Sequence, residues 1–418
     1  MKKLILLALI LSMLVISMAS CKTTETDLPE ETKDPLAGAV RTEGPKTEAK
    51  ETAKPVDTSL PDAKDFAFFK VFEAPTGDYR QIVKDYMIKM SEYKWIAGED
   101  FTITWKKQGD FTVNLQFKKG QTYYGLPYSE ARSSLEQFSM FCADGGTFTH
   151  HTYYYEELVG NHCSSSMGLA YQQLIDFPYS PSLKPIGERI GVTKLIDGLK
   201  KPEGDSWISE DVISLNGKQA IFEAYAKMDT GDILGKFIKG TGHTRMVDKV
   251  VLTKTVAGKI NYASSYVTCI EQTNQFDQSL KDKKTTWWIG HNYTFNELIN
   301  DNFIPITLEI FHSNEPLADA YIGLDQANNP ETIKKTLNGT VSSNFPLSYV
   351  RGTVEDENGN IVGEFYEYKF DKQYKINLRN RYSQLNISKL EAGTYTYTLR
   401  AGIGRGGCTV ESFKFTVE

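Results

Sequence analysis

Residues 22–64 contain no aromatic side chain, and that gap fixes where a folded body can begin. The stretch is rich in Thr, Glu, Lys and Pro, a composition that buries too little apolar surface to offset the entropy of ordering a chain. It reads as a disordered tether. Its 43 residues give a reach of roughly 35 Å as a flexible coil. About 350 residues follow, enough for two or three domains, and aromatics at 12 % of the chain suit a folded, β-rich body.

Ahead of the tether, Lys2 and Lys3 precede an apolar run over residues 4–16 and then small residues up to Cys21. A positive start, a short apolar stretch and a small-residue cleavage region are the parts of a secretory signal peptide. The run falls short of the roughly 20 apolar residues needed to span a bilayer. Met18-Ala19-Ser20-Cys21 resembles a bacterial lipobox. That resemblance implies a bacterial lipoprotein whose Cys21 is acylated and becomes the N-terminus, so that the chain is held to a membrane outside the cytoplasm. Lys22, rather than Asp, gives no sign of retention at an inner membrane.

Without the leader's two lysines the chain carries 45 basic and 53 acidic residues. A net charge of −8 argues against nucleic acid as a partner, which calls for a basic face. Four further cysteines, Cys142, Cys163, Cys269 and Cys408, are scattered with no CxxC pair, so neither a zinc site nor a disulfide scaffold is expected. His150-His151 lies among tyrosines without an acid or a second cysteine nearby, and no metal or cofactor is expected there.

The first folded region, residues 65–302, mixes periods. Asp78 is placed to cap a helix in which Ile82, Tyr86, Met90 and Tyr93 recur at helical spacing. Phe111, Val113, Leu115 and Phe117 alternate with polar residues as a half-buried strand does. Residues 121–162 read as loop, and helices are expected from Cys163 and near 218–227. Trp287-Trp288 reads as core or domain interface. From residue 303 the chain becomes a series of short strands: 306–311, 347–354, 361–370, 374–378, 394–399 and 408–417. Asn358-Gly359 is a hairpin signal. Leu390-Glu391-Ala392-Gly393-Thr394-Tyr395 resembles the tyrosine corner of an immunoglobulin-like sandwich, and residues 303–418 are expected to form one. Gly402, Gly404 and Gly407 match G-x-G-x-x-G, but no helix follows, so they read as a turn.

Cys163, Met167, Ala170, Tyr171 and Leu174 fall on one stripe of a helix that the cysteine opens. Unpaired N–H groups and the dipole at a helix start favour a thiolate. Upstream stands Gly125-Leu126-Pro127-Tyr128; downstream come Gly231-Asp232-Ile233 and then Gly242-His243-Thr244-Arg245. Taken in order, these segments resemble the NlpC-type cell-wall cysteine peptidases of the papain-like superfamily. In that family G-x-P-Y precedes a D-C-S-G helix start, and a G-D-[LI] turn leads to a strand beginning with the catalytic histidine. The resemblance covers residues 120–275. His162 and Ser165 depart from it, standing where the family has Asp and Gly, as does Thr244-Arg245 after the histidine.

The resemblance implies an α+β papain-like domain with Cys163 as nucleophile, His243 as base and Tyr128 in contact with substrate. A third group on the following strand would orient the imidazole. A hairpin turning between Ala257 and Gly258 pairs positions that sum to 515, which sets Gln272 opposite His243. A slip of one residue would bring Glu271 instead, on the other face. Gln272 is the expected third member. His162 is not expected to be the base, because adjacent residues at a helix start point apart. The implied activity is hydrolysis of an amide in cell-wall peptide, of the γ-D-glutamyl–diamino-acid type. The alternative is an inactive binding or scaffold lipoprotein of the cell envelope.

Overall fold

The computed structural model describes residues 60–106, 112–143, 145–178, 183–239, 241–368 and 373–418. The expected leader, Cys21 and most of the expected tether lie outside the described residues. The described chain is a mixed α and β structure with several sheets. Among these residues no helix is long and apolar enough to cross a membrane.

A six-stranded antiparallel sheet forms the frame of the first core. Its order is Trp287–Thr294, Tyr266–Gln272, Thr241–Val251, Ile233–Ile238, Ile304–Leu308 and Thr193–Leu195. Helix Cys163–Tyr171 lies against the third and second of these strands and against helix Tyr79–Glu92. Every residue of the cysteine helix except Cys163 is buried. It is therefore a core helix covered on all sides, not the one-sided helix that its apolar stripe suggests. Asp78 caps Tyr79–Glu92 as expected, its carboxylate accepting from the N–H groups of Arg80 and Gln81.

Two four-stranded sheets enclose a second core. One holds Leu347–Glu355, Ile361–Glu367, Gly393–Ile403 and Gly406–Val417; the other holds Phe68–Phe72, Ala320–Leu324, Thr340–Ser343 and Lys375–Asn377. Ile322, Leu324 and Val341 of one sheet share an apolar cluster with Val350, Phe365, Leu399 and Ile403 of the other. The Asn358-Gly359 hairpin forms, with Gly359 at φ 79° and Asp356 N–H bonded to Asn360 O at 2.9 Å. The Tyr395 hydroxyl donates to Glu391 O at 3.0 Å, tying the start of strand Gly393–Ile403 to the turn before it.

Strand membership departs from the sequence reading at both ends of this second core. The run 306–311, expected to open the sandwich, instead forms strand Ile304–Leu308 followed by the 3₁₀ helix Glu309–His312; the strand pairs with Ile233–Ile238 and Thr193–Leu195 in the first sheet, and its residues are buried there. In exchange Phe68–Phe72, from the start of the folded chain, pairs with Ala320–Leu324. Phe68–Phe72 was not foreseen as a strand, and periodicity does not say which sheet a strand joins.

The glycine-rich turn has a mechanical role. Gly404 and Arg405 turn the hairpin between the last two strands, and Gly404 packs so tightly on Gln172 that a Cβ would come within 2.5 Å of it. The turn delivers the Arg405 guanidinium onto three carbonyls: Gln173 O at 2.9 Å, Leu174 O at 2.8 Å and Ala318 O at 2.7 Å. Two of these lie just past the end of the cysteine helix, where a cation is favoured by the helix dipole. The second core is thereby fastened to the element that carries Cys163.

Candidate active site

Three local structures converge on the thiol. The segment Pro127–Ser129 runs beside residue 161, with Asn161 N–H donating to Pro127 O at 3.0 Å and Ser129 N–H to Asn161 O at 2.9 Å. Gly160 permits this approach, since a Cβ there would lie 2.4 Å from Pro127 O. Tyr128 is thus held at the helix start, buried, with its hydroxyl in hydrogen-bond reach of Cys163 and its ring stacked on Tyr155. His162 is the N-cap, in extended backbone, and its N–H donates to Ser165 Oγ at 2.9 Å. Ser165 therefore caps the helix start where the resembled family has a glycine.

His243 enters from the strand after the Gly231-Asp232 turn. Gly231, at φ 86°, fits that turn against Val83 and Phe311. Asp232 is buried and held by Arg80 Nη1 at 2.8 Å and by the Thr307 hydroxyl at 2.6 Å. The following hairpin sets His243 opposite Lys236, half-buried, with Cys163 in hydrogen-bond reach.

The third group is Glu271, not Gln272. His243 Nε2 lies 2.5 Å from Glu271 Oε2, while Gln272 faces the other way and donates from Nε2 to Leu126 O at 2.8 Å. The cause is register. The short 3₁₀ turn Tyr262–Ser264 lengthens the connection, and a bulge at Asp248 then shifts the pairing so that Met246 faces Ile270 and Val247 faces Cys269. Those pairs sum to 516 rather than 515; carried to His243, that sum falls on Thr273, whose face Glu271 shares two residues away, while Gln272 turns to the other face. Gln272 is instead structural: the Leu126 carbonyl that it holds also accepts from Trp287 Nε1 at 3.1 Å, which anchors the loop leading to Tyr128.

Glu271 is 1 % exposed and fully engaged. Arg245 Nε donates to Oε2 at 3.0 Å, and the Tyr293 hydroxyl donates to Oε1. The Arg245 guanidinium is itself sandwiched, 3.7 Å from the Tyr293 ring centre and 4.1 Å from that of Phe303. Burial alone would raise the Glu271 carboxyl, but the hydrogen bond and charge of His243, with Arg245 and Tyr293, hold it down at about 2. For His243, burial would lower the ring's affinity for a proton, yet Cys163 and Glu271 lift it to about 9. The Cys163 thiol is held well below its ordinary value: burial opposes ionisation, and hydrogen bonds from His162 and His243 outweigh it. The arrangement favours a thiolate–imidazolium pair, with Glu271 occupying Nε2 so that Nδ1 remains for the sulfur.

Sequence reasoning placed Cys163, His243 and Tyr128 together, kept Glu271 only as the second choice for the third position, and missed Arg245 and Tyr293 as its partners. Arg245 alone carried a signal, as a cation where the resembled family has a small apolar residue. A search of family models, curated proteins and solved structures finds no match to the chain.

The other described thiols contrast with Cys163. Burial pushes Cys142 and Cys408 up to about 11 and Cys269 upward as well. Iodoacetamide at neutral pH is expected to label Cys163 more than about tenfold faster than these three, and to lose that preference in His243→Ala. Peptide mass spectrometry reads this directly, and equal labelling of all four would remove Cys163 as a nucleophile.

Proposed function

We propose that the protein is a cysteine hydrolase that cleaves an amide bond in cell-wall peptide, of the γ-D-glutamyl–diamino-acid type, and that the lipobox-like Cys21 holds it to a membrane outside the cytoplasm. The observation that carries the reading is the buried Glu271 carboxylate bonded to His243, with the Cys163 thiol on the ring's other side. A histidine held by a carboxylate behind it and a nucleophile before it is the generalised triad arrangement. The helix start packed on an antiparallel sheet supports the papain-like likeness, and the Tyr395 corner supports the immunoglobulin-like one.

In the resting site the thiol proton resides on His243. The sulfur electron pair forms a C–S bond to the substrate carbonyl carbon, and the C=O π pair moves onto oxygen. Backbone N–H groups of the helix's first turn, including that of Cys163, face the developing oxyanion, and the Tyr128 hydroxyl is a further donor beside it. The oxyanion collapses, the C–N bond breaks, and the leaving nitrogen takes the proton from His243. Water then attacks the thioester, giving one proton to His243; the C–S bond breaks, the thiolate returns, and the carboxylic acid product loses its proton to solvent as it leaves.

Purified protein incubated with defined muropeptides is expected to release one new amine and one new carboxyl product by mass, and Cys163→Ala to release neither. Intact muropeptide beside a rapidly labelled Cys163 would exclude cell-wall peptide as the substrate. A scaffold role would gain nothing from a carboxylate buried behind His243, since an unreactive histidine does not require a charged partner removed from water.

A further inference from the structure

The thiol has a second imidazole beside it. His162 precedes the helix with φ −120° and ψ 178°, while Cys163 is already helical. The His162 ring stands close to the Cys163 sulfur. The ring is 7 % exposed. Its Nδ1 lies 3.2 Å from Ser164 Oγ, and among the described residues its Nε2 is buried with no hydrogen-bond partner of its own. A ring nitrogen removed from water and left unpaired is costly unless something at the site uses it. When Ser164 donates to Nδ1, the ring proton sits on Nε2 and makes that nitrogen a donor.

We propose that His162 is a catalytic residue of the same site, a second hydrogen-bond donor that holds the Cys163 thiolate together with His243. This rests on the hydrolase reading and adds a division of labour. His243, tied to Glu271, carries the mobile proton. Among the described residues no carboxylate pairs with His162, so it stays at the sulfur and keeps the thiolate populated while His243 gives and takes protons. The titratable groups facing the sulfur are His162, His243, Tyr128 and Tyr155, with Glu271 behind His243 and Glu130 beside the tyrosines. Of these the tyrosine hydroxyls are pushed up by burial, so neither competes with Cys163 for ionisation at neutral pH.

The test compares His162→Asn with His162→Gln in the full chain. Both keep a polar N-cap, but only the longer amide reaches the place of Nε2. The readout is the pH dependence of Cys163 alkylation by iodoacetamide, located by peptide mass spectrometry, with the thermal midpoint checking that each variant folds. His162→Asn is expected to raise the midpoint of the alkylation profile by about one pH unit, and His162→Gln to stay near the parent value. An unchanged midpoint in folded His162→Asn, or an equal rise in both variants, overturns the proposal. His243→Ala run in parallel separates the two readings. If it abolishes the rapid alkylation while His162→Asn leaves it untouched, only the second-donor assignment falls. If neither substitution alters it, the hydrolase reading falls as well.

Discussion

Replacing Glu271 with glutamine is expected to lower peptide turnover by about 10²–10⁴-fold, with little change in the fold. Glutamine has nearly the same volume, so the cavity is refilled. Three donors converge on the carboxylate, however: His243, Arg245 Nε and the Tyr293 hydroxyl. An amide offers one oxygen and one NH₂, and the NH₂ must then face a donor. The imidazole loses both its orientation and the negative charge that sustains its proton. Wild-type activity should fall as pH rises through about 9, where His243 gives up the proton that pairs it with the thiolate. In Glu271→Gln that alkaline limb should move to lower pH, because one of the two groups raising His243 is gone. Gln272→Ala should behave differently, lowering stability through the lost bond to Leu126 O while leaving the limb in place. Full turnover in Glu271→Gln with an inactive Gln272→Ala would restore the sequence-based assignment.

That contrast marks how far sequence alone could reach. Cys163, His243 and Tyr128 were legible because each opens or ends a locally coded element: a helix start with serines to cap it, a strand after a glycine turn, a segment ending in Pro-Tyr. The partner of His243 was not, because it depends on a long-range register. One 3₁₀ turn at Tyr262–Ser264 and one bulge at Asp248 were enough to exchange Gln272 for Glu271, and neither leaves a strong signal in composition. His162 was weighed only as a base; its extended N-cap backbone and the burial of its ring beside the helix start were not legible in the sequence. Five strands of the second core were readable from their alternation, but Phe68–Phe72, Ala320–Leu324 and Thr340–Ser343 were not, nor was the pairing of Ile304–Leu308 in the first sheet, since an apolar alternation fixes a face and not a partner. Arg405 shows the same limit: the turn was foreseen, its grip on the end of the cysteine helix was not.

Arg245→Met should be the most damaging single change to stability near the site, costing about 3–5 kcal/mol at neutral pH. Methionine keeps apolar contact with Tyr293 and Phe303, so the loss isolates the charge rather than the packing. Without the guanidinium, the Glu271 carboxylate stays buried with His243 and a phenol, and part of its desolvation is no longer compensated. The pH dependence gives the sign. The depressed carboxyl of Glu271, at about 2 in the folded protein against an ordinary value near 4.5, stabilises the fold fully above the unfolded value. That contribution is lost as pH falls through about 2. In Arg245→Met the folded carboxyl protonates at a higher pH, so the variant has less of this stability to lose on acidification. Urea unfolding of the two proteins should therefore show a wide gap at pH 7 that narrows steadily toward pH 3. A gap independent of pH would mean that Arg245 acts through its stacking on the two rings, and the charge network around Glu271 would then contribute little to holding the site together.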